Sequence, residues 1–245
     1  MTTRYLIGRA ELLTYPIEAP KKKVGDKAHP YTLTEAKRII VPEIETANRI
    51  FQELPAKACA DDLAVARLVL HPAYLAKSYF PKLLLDQVGL SSVGSRTRRI
   101  QPRRQTQKKA PPEMETTELF VSGTRAAMGN FPAFARSLNE QMPVAEQFAR
   151  IETFAAMTPA DRLHLEGTNV GHVFEVGLHL PPEGDASDVR ALFADYAKDC
   201  GFRVNGEFEF EAGRLLFVAV EGEAAALENL AQFTLTRVVR PMPHL

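Results

Sequence analysis

The clearest hydrophobic pattern in the chain lies between residues 172 and 240. From His172 to Leu180, Phe174, Val176, Leu178 and Leu180 fall on one face and Val173, Glu175 and His179 on the other, the period of a β-strand. Val189, Leu192, Phe193, Tyr196 and Cys200 then recur at helical spacing, and Gly201 suits the left-handed cap that closes a helix. Phe202, Val204, Phe208 and Phe210 resume the alternation, Gly213 punctuates it, and Leu215 to Val220 predicts a third strand. Leu227, Leu230 and Phe233 fit a short second helix, and Leu235 to Val239 a last strand. The predicted order is β-α-β-β-α-β, the split βαβ or ferredoxin-like arrangement. A tail, Arg240-Pro-Met-Pro-His-Leu245, follows it.

The first half of the chain carries the same order in a weaker pattern. Tyr5 to Ile17 predicts an edge strand or an extended arm. Thr32-x-x-Glu35 is a capping box ahead of a helical face made by Ala36, Ile40, Ile44, Ala47, Phe51 and Leu54. Pro42 is expected to kink or divide this helix and Pro55 to end it. Leu63 to Leu70 is a strand, stopped by His71-Pro72. Pro81 opens a short helix with Leu84, Leu85 and Val88 on its face and Gly89 past its end. Residues 90–104 are extended, 103–112 form an exposed loop and Thr116 to Val121 is a strand. Residues 124–138 are helical in spacing but interrupted by Gly129, Asn130 and Pro132, and 148–157 predict a strand. Thr158-Pro-Ala-Asp starts a turn or helix, and Glu166 to Gly171 is a connector. The fold class is therefore α+β. Two ferredoxin-like βαββαβ units, 61–160 and 161–245, are preceded by an N-terminal arm and helix at 1–60. The halves repeat a topology, not residues.

At 45% hydrophobic residues, the 245-residue chain can bury a sizeable core. Its formal net charge of zero means that any anionic partner must be met by a local patch. No apolar run reaches the length of a membrane span, and no signal-peptide pattern opens the chain. Cys59 and Cys200 have neither metal nor disulfide spacing, as expected of reduced thiols in a cytoplasmic protein.

No catalytic constellation emerges. The Gly-x-Ser-x-Gly nucleophile elbow is absent, and Ser122-Gly-Thr-Arg reads as a helix-capping turn. The odd separation of His172 and His179 sends them to opposite faces of a strand, so they cannot share a metal. Gly167-Thr-Asn-Val-Gly-His lacks phosphate-loop spacing. No catalytic residue, metal or cofactor is expected, and function must come from surfaces. Arg96, Arg98, Arg99, Arg103, Arg104, Lys108 and Lys109 fall in one stretch with no acid among them. The stretch reads first as a solvated strand edge and loop, which discourages edge-to-edge pairing. An acidic partner surface comes next. Nucleic acid comes last, because no aromatics are interleaved for base stacking. The strand at 215–220 is apolar on both sides: Leu215, Phe217 and Ala219 one way, Leu216, Val218 and Val220 the other. Its helix-free face is therefore expected to be covered, by the first unit or by a partner. Against the RNA-recognition pattern only Phe217-Val218 matches, with Leu215 and Val220 at aromatic positions.

Arg4-Tyr-Leu-Ile-Gly, the block from Leu68 through His71-Pro72 to Tyr79-Phe-Pro81, Val93-Gly-Ser-Arg, Thr116 to Gly123 and Arg237-Val-Val-Arg-Pro-Met-Pro243 resemble a known family. It is the N-terminal region of bacterial subtilisin-like serine peptidases that occur with an AAA ATPase in two-gene phage-defence systems. The resemblance spans nearly the whole chain. In that family a catalytic domain with an Asp-His-Ser triad follows the Arg-Pro-Met-Pro segment. None of its motifs is present here, so no catalytic residue carries over, and the chain is expected to lack peptidase activity. The resemblance implies a non-catalytic prodomain-like or regulatory region: the N-terminal part of such a peptidase, a processed fragment or a stand-alone homologue. Subtilisin prodomains have the β-α-β-β-α-β fold, dock their sheet on the protease and lay their C-terminal tail in its cleft. The expected partner-binding residues are Leu215 and Phe217 on the sheet, Arg237, Arg240, Pro241, Met242 and Pro243 in the tail, and Arg96, Arg98, Arg99, Arg103 and Arg104 in the basic stretch. The expected partners are a subtilisin-like catalytic domain, in cis or in trans, and the AAA ATPase; a membrane and nucleic acid are not expected. The alternative is a recruitment module for the ATPase or another protein, and the third reading an RNA-binding βαββαβ protein.

Overall fold

Helix α1 (Leu33–Glu53) opens at the expected capping box, where Thr32 accepts from the Glu35 backbone N–H and the Glu35 carboxylate accepts from that of Thr32. The computed structural model describes residues 30–104, 111–165, 172–182 and 184–242. The expected arm at Tyr5–Ile17, Lys108, Lys109, the connector at 166–171 and Pro243 lie outside them. Pro42 does not divide α1, which runs through it. Its missing N–H removes one intrahelical bond, but Pro42 is on the exposed stripe, where water can serve the freed carbonyl. Ala36, Ile40, Ile44, Ala47 and Phe51 are buried on the opposite stripe, against the first sheet.

That sheet comprises β1 (Leu63–Leu70), β2 (Ser91–Ile100), β3 (Met114–Thr124) and β4 (Ile151–Ala156), all antiparallel, in the order β2-β3-β1-β4. Between the strands run α2 (Lys82–Gln87), α3 (Arg125–Ser137) and α4 (Pro143–Ala149). Gly129, Asn130 and Pro132 do not interrupt α3. The strand expected from residue 148 begins at Ile151, because Pro143 starts a helix whose Val144, Ala145, Phe148 and Ala149 are buried. A short helix, α5 (Pro159–Arg162), leads into the second unit.

There β5 (Val173–His179), α6 (Ala186–Asp199), β6 (Arg203–Ala212), β7 (Leu215–Glu221), α7 (Leu227–Leu230) and β8 (Thr236–Pro241) follow in turn. The strand order β6-β7-β5-β8 repeats that of the first sheet. Both units thus have the β-α-β-β-α-β order with the second strand at one edge and the fourth at the other. Gly201, at φ +83°, closes α6 as its position predicts.

One core lies between the first sheet and α1, α3 and α4, with Ile40, Phe51, Leu68, Phe131, Phe148 and Phe154 enclosed. The other joins the units: Val65, Val93 and Phe120 of the first pack in one cluster with Phe174, Phe193, Val218 and Phe233 of the second. Polar bonds brace the second unit and tie it to the chain before it. The enclosed Arg162 donates to the carbonyls of Ala231 (2.5 Å) and Thr234 (3.2 Å), and burial lowers its pKa to about 10, so it stays a cation at neutral pH. Thr234 donates to the carbonyls of Ala58 through its N–H and Leu63 through its hydroxyl. Among the described residues no helix is long and apolar enough to cross a membrane.

Candidate functional site

In the second sheet, pairing sends Val176, Leu178, Leu216 and Val218 toward the helices. Glu175, Gly177, His179, Leu215, Phe217 and Ala219 therefore take the outer face. The first unit covers one half of it. The His179 and Phe120 rings lie 5.3 Å apart, and the Arg237 guanidinium sits 3.9 Å from the centre of the Phe120 ring. Arg96 approaches that ring at 5.6 Å. Burial lowers the His179 imidazole to about 3, with the Arg237 charge adding to the effect. Burial likewise lowers Arg237 to about 10, which leaves it protonated.

On the other half the exposed side chains come from β6, while Glu175, Gly177 and Ala219 are buried and Phe217 is half-buried. Phe210 stacks on Phe217 at 4.7 Å with the rings 9° apart, and Phe210 and Phe208 are 53% and 56% exposed. Gly177 makes this possible: a Cβ there would lie 3.1 Å from the Phe217 ring and 3.0 Å from Val238. Without that Cβ, the Phe217 ring can sit over Gly177 and stack on Phe210. Phe208, Phe210, Phe217, Ala219, Glu175 and Met242 border a depression of about 230 Å³. Arg240 pairs with Glu175 at its rim, 2.5 Å away. Glu207 and Glu209 also border it.

The expected tail is mostly sheet. Arg240 and Pro241 belong to β8, opposite Glu175 and Phe174, and Met242 donates its N–H to the Val173 carbonyl at 3.1 Å. Arg237 is half-buried. A register shift between Gly177 and Leu178 leaves it bulged, with its guanidinium on Phe120. Leu215 is half-buried at the start of β7.

The basic stretch is not the free patch that its composition suggests. Arg96 and Arg98 both bind Glu118, whose side chain is wholly buried, Arg98 at 2.5 Å. Arg103 pairs with Glu43, and its backbone N–H donates to the buried Glu152 carboxylate at 2.7 Å. Arg104 pairs with Glu35 at 2.5 Å. Arg99 projects to solvent. The acids that neutralise the stretch come from α1, β3 and β4, so no local window of sequence reveals them.

Residues that sequence reasoning did not assign to the site are Phe208, Phe210, Ala219 and Glu175. The available signal was strand order: in a β-α-β-β-α-β unit the second strand is an edge, so its apolar residues are only half covered. Among the described residues no three His, Cys, Asp or Glu side chains are grouped to hold a metal. No known protein family, curated protein or solved structure matches the chain.

Proposed function

We propose that this chain is a non-catalytic, prodomain-like or regulatory region that docks on a subtilisin-like peptidase domain through the β6 half of its second sheet. The observation that carries the reading is the exposed pair Phe208 and Phe210, the latter stacked on the half-buried Phe217, on the face where Met242 leaves β8. Aromatics gathered on a sheet face mark a protein contact. A domain joined beyond Met242 would emerge beside them. The carboxylates at the rim repel a phosphate backbone, which favours a protein over nucleic acid. Because Arg240 to Met242 are bonded into the sheet, a segment laid in a protease cleft would start beyond Met242. The role in phage defence and the AAA ATPase partner rest on the sequence resemblance alone. Recruitment of that ATPase through the basic stretch is the weaker reading, since Arg96, Arg98, Arg103 and Arg104 are already paired with Glu118, Glu43 and Glu35 of this chain.

The test is binding and inhibition in trans, with the subtilisin-like domain encoded in the same locus. The chain is expected to bind and inhibit it. Phe208→Ser with Phe210→Ser should weaken binding by about tenfold or more, while Arg99→Ala should not. A locus without such a domain, or equal binding by all three proteins, would reject the reading.

A further inference from the structure

We infer that the free edge of the second sheet, strand β6, is a docking strand for an extended segment in which basic residues alternate with apolar ones. The two edges of this sheet are treated differently. Along β8, Leu163 bridges Val239 in parallel and His164 donates its N–H to the Val239 carbonyl at 2.9 Å. Along the outer side of β6, no strand pairs among the described residues. Natural edges of this kind are blunted by charged residues, above all lysine, by proline, by bulges or by brevity, and the charges of β6 from Glu207 on are all acidic. β6 is ten residues long and has neither lysine nor proline. A register shift between Asn205 and Glu209 breaks it once, and Glu209–Ala212 then pair regularly with Val218–Leu215. From Gly206 to Ala212 every residue is exposed.

The side chains state what such a segment must carry. Glu209 and Glu211 lie opposite Val218 and Leu216, on the helix side, and Phe210 lies opposite Phe217, on the outer side. A strand added to this edge would meet carboxylates on one face and aromatic rings on the other. Lysine or arginine at alternate positions with apolar residues between them matches both. Arg190 of α6 already binds Glu209 through two 3.1 Å contacts, which leaves Glu211, and the exposed Glu207 in the bulge before it, for the partner. A second copy of the chain does not fit. Glu207-Phe-Glu-Phe-Glu211 reads the same in both directions, so antiparallel self-pairing centred on Glu209 sets Glu209 against Glu209 and Glu207 against Glu211. In-register parallel pairing also sets like charges together. The edge is thus guarded against its own copies and open to a basic strand. This does not rest on the peptidase reading, because the added strand lies in the plane of the sheet and not on its face.

The test titrates the full chain, at low salt, with a capped seven-residue peptide of alternating lysine and valine. An isomer with the same residues in blocks and an alternating glutamate–valine peptide serve as controls. Anisotropy reads binding, and hydrogen exchange reads where it occurs. The alternating lysine peptide is expected to bind and to slow amide exchange within 207–212. The block isomer should bind about tenfold more weakly. Glu207→Lys with Glu211→Lys should lose the lysine peptide and gain the glutamate one, and Glu207→Gln with Glu211→Gln should lose the first without gaining the second. Absence of binding, equal binding of both isomers, protection outside β6, or a dimer formed through β6 would overturn the proposal.

Discussion

Glu118 decides what the basic stretch is for. Its carboxylate is buried and satisfied by Arg96 and Arg98, whose side chains are 34% and 41% exposed. The two partners are therefore unequal. Without the arginines the carboxylate is stranded; without the carboxylate the arginines can turn to water. Arg96→Ala with Arg98→Ala should cost about 3–5 kcal/mol in urea unfolding. Glu118→Gln should cost less, and Arg99→Ala should stay within about 0.5 kcal/mol. Equal effects of the double variant and Arg99→Ala would show that Glu118 is not held by these residues. His179 gives a pH dependence. It is enclosed against Phe120, with Arg237 from β8 beside it and Arg96 of β2 on the same ring. Its folded pKa of about 3 lies below the unfolded value of about 6.5. The neutral ring's contribution is complete above about pH 6.5. It falls by about 1.4 kcal/mol per unit as the unfolded chain takes up a proton that the folded chain refuses, and it is lost by about pH 3. His179→Leu should remove that part of the slope. Urea unfolding of both proteins at pH 7, 5.5 and 4.5 checks this, and a difference constant across those values contradicts it.

At the scale of the element, Pro42 is the clearest case of packing overriding local preference. A proline inside a helix costs about 3 kcal/mol relative to alanine, offset by up to about 1 kcal/mol through the stiffer unfolded chain. The helix survives because its buried stripe, from Ala36 to Phe51, is matched to the first sheet. Pro42→Ala should therefore stabilise the protein by about 2 kcal/mol; a lower thermal midpoint would show that the ring makes a contact worth more than the missing bond. Both departures of the helices from expectation have this origin. Pro42 and Pro132 interrupt a pattern that long-range burial restores, and no local rule weighs the two. The strands between 173 and 241 were legible because alternation, Gly201 and Gly213 agree. The outward direction of Leu215 and Phe217 was legible for the same reason. The exposure of Phe208 and Phe210 was not, since alternation says which face a residue takes but not whether its strand is an edge. Nor was the seat of Arg237 on Phe120, because the register shift at Gly177 breaks the alternation there. The pairing of the arginines with Glu118, Glu43 and Glu35 was hidden by sequence distance.

Taken whole, the molecule has two units of one topology but not two independent cores. Val65, Val93 and Phe120 of the first sheet belong to the cluster that fills the second unit, and Thr234 bonds across the same seam to Leu63. The first unit thus occupies half of the outer face of the second sheet. A partner on the other half meets a surface whose far side is already braced. Phe120 is the residue on which this union can be measured. It is fully enclosed, and groups from both units touch its ring: Arg96 from its own, His179 and Arg237 from the other. Phe120→Ala should cost about 3–5 kcal/mol. Because the cavity opens in the shared cluster, amides of β1 and β3 should lose exchange protection together with those of β5 and β8. The unaltered protein should melt in one transition, with calorimetric and van't Hoff enthalpies equal. Two transitions, or loss of protection confined to β1 and β3, would mean that the units fold separately and that the seam forms only after both are complete.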